Sequence, residues 1–115
     1  MFHTLINLTP HELNLVDSKK VITSYPSEGV ARVSSSSTPV GVFEQAGNIP
    51  LTQVTFGQVE GLPPPDPGVL FVVSALVRAA VPHRRDVASP GDLVRDESGR
   101  VVGASSLILN TQEGG

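Results

Sequence analysis

The stretch from Gly68 to Asp86, GVLFVVSALVRAAVPHRRD, constrains the fold more than any other part of the sequence. Its first part, Val69 to Val73, is an unbroken apolar run, which is typical of a strand that is covered on both faces. Ser74 follows as a helix cap, and the sequence predicts a short helix over Ala75 to Val81 that Pro82 ends. We therefore expect the core to form around a buried strand and a short helix beside it.

Glycine and proline interrupt the rest of the chain and favour short strands over long helices. The 115 residues include 11 glycines and 10 prolines, and only 4% are aromatic. Valine dominates the apolar residues, as is typical of strands. The sequence predicts a single domain over residues 1–115 that is mainly β: a small barrel or roll of about seven to nine short, mostly antiparallel strands with one short helix. We expect the polar tail, residues 110–115, to be frayed.

Alternating apolar residues and turn signals predict where the strands lie. A turn is expected at Thr9 and Pro10. For the residues that follow, a strand beginning at Leu13 is preferred over the alternative, a capped helical turn. We predict strands at 2–8, 13–15, 21–25, 30–34, 40–43, 49–59, 69–73, 93–96 and 100–109, and 87–89 is a further candidate strand. Gly57 indicates a bulge or a close backbone approach within its strand. The serine run Ser34–Ser37 is read as a solvated loop or as a loop that binds a polar group.

Charge and composition exclude several classes of function. The net charge is −3, so a general nucleic-acid-binding surface is not expected, and the absence of cysteine excludes disulfides and thiolate chemistry. The three histidines lack the spacing of a metal site, so we predict neither a metal nor a cofactor. The sequence contains no run of 18 apolar residues and no basic, apolar leader, so we expect a soluble, cytoplasmic protein without membrane contact.

The candidate binding site lies at the junction between the buried strand and the helix. The helix N-terminus at Ser74 would present amide groups to an anion, and Arg78 follows one turn later on roughly the same face. Arg84 comes just after the helix, and arginine suits bidentate contact with phosphate. The opposing interpretation gives Ser74 only a capping role, leaves Arg78 solvated, and pairs Arg84 or Arg85 with an acidic side chain.

Nothing in the sequence identifies a catalytic centre. It contains no nucleophile elbow, P-loop or Rossmann fingerprint, and we assign no catalytic residue. The alternative of a hydrolase would use His11 or His83 with Glu60 or Asp86, if the fold brought those side chains together.

Six segments resemble a family of small, largely uncharacterised proteins of bacteriophages and prophages. In this sequence they read INLTPHEL, GVARVS, PVG, FGQVEGLPPP, VSALVRAAVPHRRDV and LVRDESGRVVGASSL, and they cover nearly the whole chain. The resemblance implies an accessory protein of the kind that counters host defence. The polar positions that recur in the family correspond to Thr9, His11, Arg32, Glu60, Ser74, His83, Arg84, Asp86 and Arg95.

The resemblance and the arginines together predict a protein that sequesters a small phosphorylated nucleotide without turning it over. The expected ligand is a cyclic-nucleotide or ADP-ribose-type immune signal in the host cytoplasm. The predicted ligand-binding residues are Ser74, Arg78, Arg32, Arg84, His11 and His83. A first alternative is a protein–protein interaction module, which would inhibit a host enzyme or serve in the virion. The hydrolase is a second alternative, and the sequence leaves a homo-oligomer open.

Overall fold

The protein folds into two four-stranded sheets, a long two-stranded hairpin and one short helix. The computed structural model describes residues 2–110. The strands are β1 (Thr4–Asn7), β2 (Leu13–Val16), β3 (Ile22–Tyr25), β4 (Arg32–Phe43), β5 (Ile49–Glu60), β6 (Val69–Val72), β7 (Val87–Pro90), β8 (Leu93–Arg95), β9 (Val101–Ala104) and β10 (Leu107–Leu109), and the helix is α1 (Ala75–Ala80).

Both four-stranded sheets mix parallel and antiparallel pairs. The first has the order β1-β6-β7-β10 and the second β3-β2-β9-β8, while β4 and β5 pair only with each other in the described part of the chain. The prediction of a mainly β fold with one short helix is confirmed. The ten strands exceed the predicted seven to nine, and within residues 2–110 the sheets do not close into a barrel.

The core forms around β6, as the apolar run predicts. This strand lies between two parallel partners, β1 and β7. Val72 and Val73 have no exposed surface, and Val77 of α1 is 2% exposed and belongs to the same core cluster as Val73. Each fully buried valine stabilises the fold by roughly 1.5–3 kcal/mol relative to an exposed one.

Gly68 allows the beginnings of β1 and β6 to lie close together. Its φ of +78° lies in the left-handed region, and a Cβ there would strike the His3 ring. The Gly68 carbonyl accepts hydrogen bonds from the amides of His3 and Thr4, at 2.9 and 3.1 Å. The polyproline segment before it, residues 61–68, forms no strand or helix.

The N-terminal turn is held by a buried amide rather than by a capping box. Asn7 is fully buried, and its Nδ2 donates to the carbonyls of His11 at 2.8 Å and Tyr25 at 2.9 Å. Its Oδ1 accepts from both the amide and the hydroxyl of Thr9. The predicted strand at Leu13 is confirmed, and it pairs with β3 across a turn at residues 17–20.

A continuous hairpin replaces the predicted serine loop. We call β4, the turn at residues 44–48 and β5 the arm; each of its strands has 12 residues. The prediction that Ser34–Ser37 form a loop is wrong, because these serines lie inside β4 and pair with β5. The bulge predicted at Gly57 is confirmed, since the register shifts between Val33 and Ser35 on the opposite strand.

The C-terminal region forms a hairpin and one further strand. β8 and β9 pair across a tight turn at residues 96–99. The prediction of one long strand at 100–109 is wrong, because Ser105 and Ser106 interrupt it and separate β9 from β10. Asn110 is not frayed: its Nδ2 donates to the carbonyls of Val81 at 2.8 Å and Arg84 at 3.0 Å. The rest of the predicted frayed tail, 111–115, lies outside the described residues.

No helix in residues 2–110 is long and apolar enough to span a membrane.

Candidate functional site

The junction between β6 and α1 has the predicted cap. The Ser74 backbone is extended, and its Oγ accepts a hydrogen bond from the amide of Val77 at 3.3 Å. The Ser74 carbonyl accepts from the amide of Arg78 at 3.0 Å. The helix has six residues, so it offers little of the dipole that the anion-binding prediction requires.

Arg78 braces the helix against the first sheet. Its Nε donates to Oγ of Ser89 at 2.8 Å, and its Nη1 lies 3.4 Å from Oδ1 of Asn110. Ser89 is only 1% exposed, so the guanidinium satisfies a polar group that burial would otherwise leave without a partner. These contacts give Arg78 a structural role in the folded chain.

Arg84 is held in a bidentate ion pair. Its Nε and Nη2 each lie 2.8 Å from an oxygen of Asp86, and Nη2 also donates to the Pro63 carbonyl at 3.0 Å. The guanidinium carbon lies 6.0 Å from the centroid of the Phe71 ring. Hydrogen bonds from Arg84 lower the pKa of the Asp86 carboxyl, although desolvation acts in the opposite direction. The pairing of Arg84 with an acidic side chain matches the structural interpretation rather than the ligand-binding one.

The two histidines of the predicted site, His11 and His83, lie at exposed turns. The backbone carbonyl of His11 accepts hydrogen bonds from Nδ2 of Asn7 and from the hydroxyl of Thr9. His83 is exposed in the turn after α1. Within residues 2–110, neither histidine belongs to a cluster of side chains that could hold a metal ion.

Arg32 and Ser74 are the two predicted site residues that line one groove. This groove, which we call the Arg32 groove, has a volume of about 250 Å³ and lies between the base of the arm and α1. Its other lining residues are mainly apolar: Leu8, Pro10, Val30, Ala31, Val33, Leu76 and Val77. Neither Arg78 nor Arg84 lines it, so the predicted set of converging arginines does not share this groove.

Arg32 also borders a second, more polar groove on the arm. That groove has a volume of about 520 Å³ and is further lined by Val33, Ser34, Gln58 and Glu60. Arg32 is exposed and lies opposite Glu60 in the β4–β5 register. Among the described residues its guanidinium donates no hydrogen bond and joins no ion pair, which leaves the charge available to a ligand.

The carboxylates suggested for a hydrolase have separate surroundings. Glu60 borders the polar groove of the arm, whereas both oxygens of Asp86 are bonded to Arg84. A carboxylate engaged in this way is a poor general base, because its pKa is lowered and its lone pairs are occupied.

Sequence reasoning missed the exposed apolar surface of the arm. Seven large apolar side chains of the arm are exposed to solvent by 39–60%. They are Val40, Val42, Phe43, Ile49, Leu51, Val54 and Phe56. The alternation of Thr52, Val54 and Phe56 is the signal that could have revealed one face of this surface. The run of serines obscured it by suggesting a loop.

Comparison of the chain with models of known protein families, with curated proteins and with solved structures finds no match. Membership of a phage family therefore stays a prediction.

Proposed function

We propose that this protein is a non-catalytic binding protein that holds a small phosphorylated nucleotide in the Arg32 groove. The observation that carries the proposal is the position of Arg32. Its exposed guanidinium has no ion-pair partner in residues 2–110, and it lies beside a mainly apolar groove that is also lined by Ser74. Small-molecule sites commonly combine apolar walls with a few polar groups that fix orientation. The apolar wall would accept a base, and Arg32 would bind phosphate.

The contacts of the other arginines move the proposed site from Arg78 to Arg32. Binding phosphate through Arg78 would break its bond to buried Ser89, and binding through Arg84 would break its ion pair with Asp86. In each case, the free energy lost with the existing contact offsets much of the free energy gained from binding phosphate. Arg32 has no such contact to lose within the described part of the chain.

The ligand class follows from the resemblance to phage accessory proteins. We propose a cyclic-nucleotide or ADP-ribose-type immune signal, which the protein sequesters in the host cytoplasm without changing it chemically. The engaged Asp86 carboxylate supports binding without hydrolysis over the hydrolase alternative.

Thermal unfolding in the presence of nucleotides tests this proposal. A ligand at about 100 times its Kd stabilises the folded state by about 2.7 kcal/mol, which raises the Tm by several degrees. We expect this increase with at least one cyclic nucleotide or ADP-ribose derivative. Arg32→Gln should abolish it, and Arg85→Gln, which removes one exposed positive charge elsewhere, should preserve it.

Recovery of the ligand after denaturation separates binding from turnover. We expect the nucleotide to return chemically intact. An altered nucleotide would establish a hydrolase, and an unchanged Tm with every nucleotide tried would contradict nucleotide binding. An equal loss of the Tm shift in both arginine variants would contradict the assignment to the Arg32 groove.

The exposed apolar side chains of the arm favour a second candidate function, a protein–protein interaction module. Large exposed apolar side chains that are concentrated on one element, rather than scattered singly, are a common mark of protein interfaces. A photo-crosslinking amino acid at Val54, which is 52% exposed, should form protein adducts in the cells that produce the protein. The same probe at Leu93, which is 55% exposed on β8, should form none. Equal labelling at both positions, or none at Val54, would contradict this candidate.

A further inference from the structure

Over the middle section of the arm, the large apolar side chains Val54 and Phe56 lie on one face. Residues directly opposite in the β4–β5 register lie on the same face, and faces alternate along each strand. Phe56 and Ser35 therefore share a face with Val54 and Ser37, and with Thr52 and Pro39. The other face is polar over the same section and includes the hydrogen-bonded pair Ser36 and Thr55.

Pro39 reveals which backbone groups face the outer edges of the arm. Proline cannot donate a hydrogen bond, so the pair Pro39–Thr52 occupies a position at which neither residue bonds to the other strand. The N–H groups of Thr52, Val54 and Phe56 consequently face outward from β5, because this pattern repeats every second residue. On β4 the corresponding outward positions are Ser35, Ser37 and Pro39, and the proline lacks a donor.

The outer edge of β5 is therefore the better template for another strand. Residues 51–56, LTQVTF, contain no charge and no proline, which usually block edge pairing, and they precede the bulge at Gly57. Residues 49–58 are all exposed to solvent, so no other described element covers this edge. Over residues 33–59 as a whole, Glu44 is the single charged residue, so a second copy can approach without charge repulsion.

We propose that two copies of this chain pair through the outer edges of their β5 strands. The pairing is antiparallel and centred on Val54, so that Val54 meets its own counterpart and Thr52 meets Phe56 of the other copy. This register brings all the outward N–H and C=O groups of the three residues into six hydrogen bonds, and it keeps apolar side chains on one face. The inference rests on the second candidate function, that the arm is an interaction surface.

The near absence of charge in residues 33–59 and the self-complementary register about Val54 favour a second copy as the occupant. A two-stranded hairpin is marginal in water, and independent stability requires three or more strands with an apolar face or packing against a helix. The proposed pair forms a four-stranded sheet in which the two arms support each other. Contact along one strand buries less than the roughly 1,000 Å² expected of a stable interface. The dimer should therefore be weak and should depend on concentration.

Sedimentation velocity over a range of protein concentrations tests the pairing. We expect a reversible shift from a 12.1 kDa monomer to a dimer as the concentration rises. Val54→Pro removes an outward N–H at the centre of the interface and should weaken dimerisation at least tenfold. Ser37→Pro makes the same change directly opposite, on the outer edge of β4, and should leave the dimer unchanged.

Crosslinking of single-cysteine variants tests the register independently of any effect of proline on the arm. The chain has no cysteine of its own. Opposed hydrogen-bonded residues have Cα atoms about 5.5 Å apart, a separation that a disulfide can span. Val54→Cys should therefore form a disulfide-linked dimer under mild oxidation, and Ser37→Cys should not.

Three results would overturn the pairing: a monomer at every concentration, a dimer that Val54→Pro does not weaken, or crosslinking of Ser37→Cys in preference to Val54→Cys. A monomer whose photo-probe at Val54 labels a different protein would overturn self-pairing alone. The absence of any adduct at Val54 would also remove the interaction candidate on which the pairing rests.

Discussion

At the scale of single residues, Asn7 does more to organise the N-terminal third than its polar character suggests. Its amide group bonds the turn at Thr9, the carbonyl of His11 and the end of β3 at Tyr25. Because Asn7 is fully buried, loss of its side chain would leave several polar groups without a partner and without access to water.

Asn7→Ala should therefore lower the free energy of unfolding by about 2–3 kcal/mol, since each unsatisfied buried group costs about 1–3 kcal/mol. Urea denaturation measures this loss. Asn14→Ala is the matched control, because half-buried Asn14 also accepts a hydrogen bond, from Ser24 at 2.6 Å, but that bond is exposed to solvent. An equal effect of the two substitutions would show that the buried network is not important for stability.

The ion pair of Arg84 and Asp86 makes stability depend on pH in a predictable direction. The pKa of the Asp86 carboxyl is below its ordinary value in the folded state, chiefly because of hydrogen bonds from Arg84. The folded state therefore binds fewer protons than the unfolded state around the ordinary carboxyl pKa. The resulting stabilisation is complete above that pKa and is lost as the pH falls toward the lowered value.

We expect the wild-type protein to be more stable than Asp86→Asn at pH 6, and the difference should shrink between pH 5 and pH 2. Asp96 also has a lowered pKa, mainly from its hydrogen bond with Ser98, but it is present in both proteins and its effect cancels. Urea denaturation across this pH range measures the difference. A constant difference would exclude Asp86 as its titrating source.

At the scale of elements, the arm is distinct from the body because its side chains contribute little to the core. Val33 and Val59 at its base pack against the core cluster, but β4 is exposed from Ser34 onward and β5 up to Gln58. The body should therefore fold without the part of the arm beyond this pair.

Replacement of residues 34–58 by Asn-Gly should leave the body folded, with a Tm within a few degrees of the full chain. A two-residue Asn-Gly turn suits the connection, because Val33 and Val59 already lie opposite each other in the antiparallel pair. Circular dichroism during heating checks this expectation. Loss of the cooperative transition would mean that the arm is needed for the body to fold.

At the scale of the whole molecule, the arm makes the protein extended. The Cα radius of gyration is 17.2 Å, compared with about 13 Å for a compact chain of this length. Within residues 2–110 the strands of the arm pair only with each other, so intrachain sheet pairing does not cover the outer edges of the arm.

The sequence predicts the core better than it predicts the surface. The run at Val69–Val73 and the cap at Ser74 are strong local signals, and both are confirmed. The serines of β4 are weak β formers, and their conformation depends on pairing with β5, which no local pattern encodes. The hydrogen bonds of Arg78 with Ser89 and Asn110 likewise join residues that are distant in sequence, as does the bond of Arg84 with the Pro63 carbonyl. The spacing of these residues in the sequence does not predict such contacts.

The parallel pairing of β1 with β6 also has a consequence for the synthesis of this protein. Thr4 pairs with Val69, so β1 emerges from the ribosome long before its partner has been translated. At about 5–20 residues per second, this delay lasts several seconds. The arm, whose strands are adjacent in sequence, can form during that interval, whereas the first sheet can assemble only after most of the chain has been made.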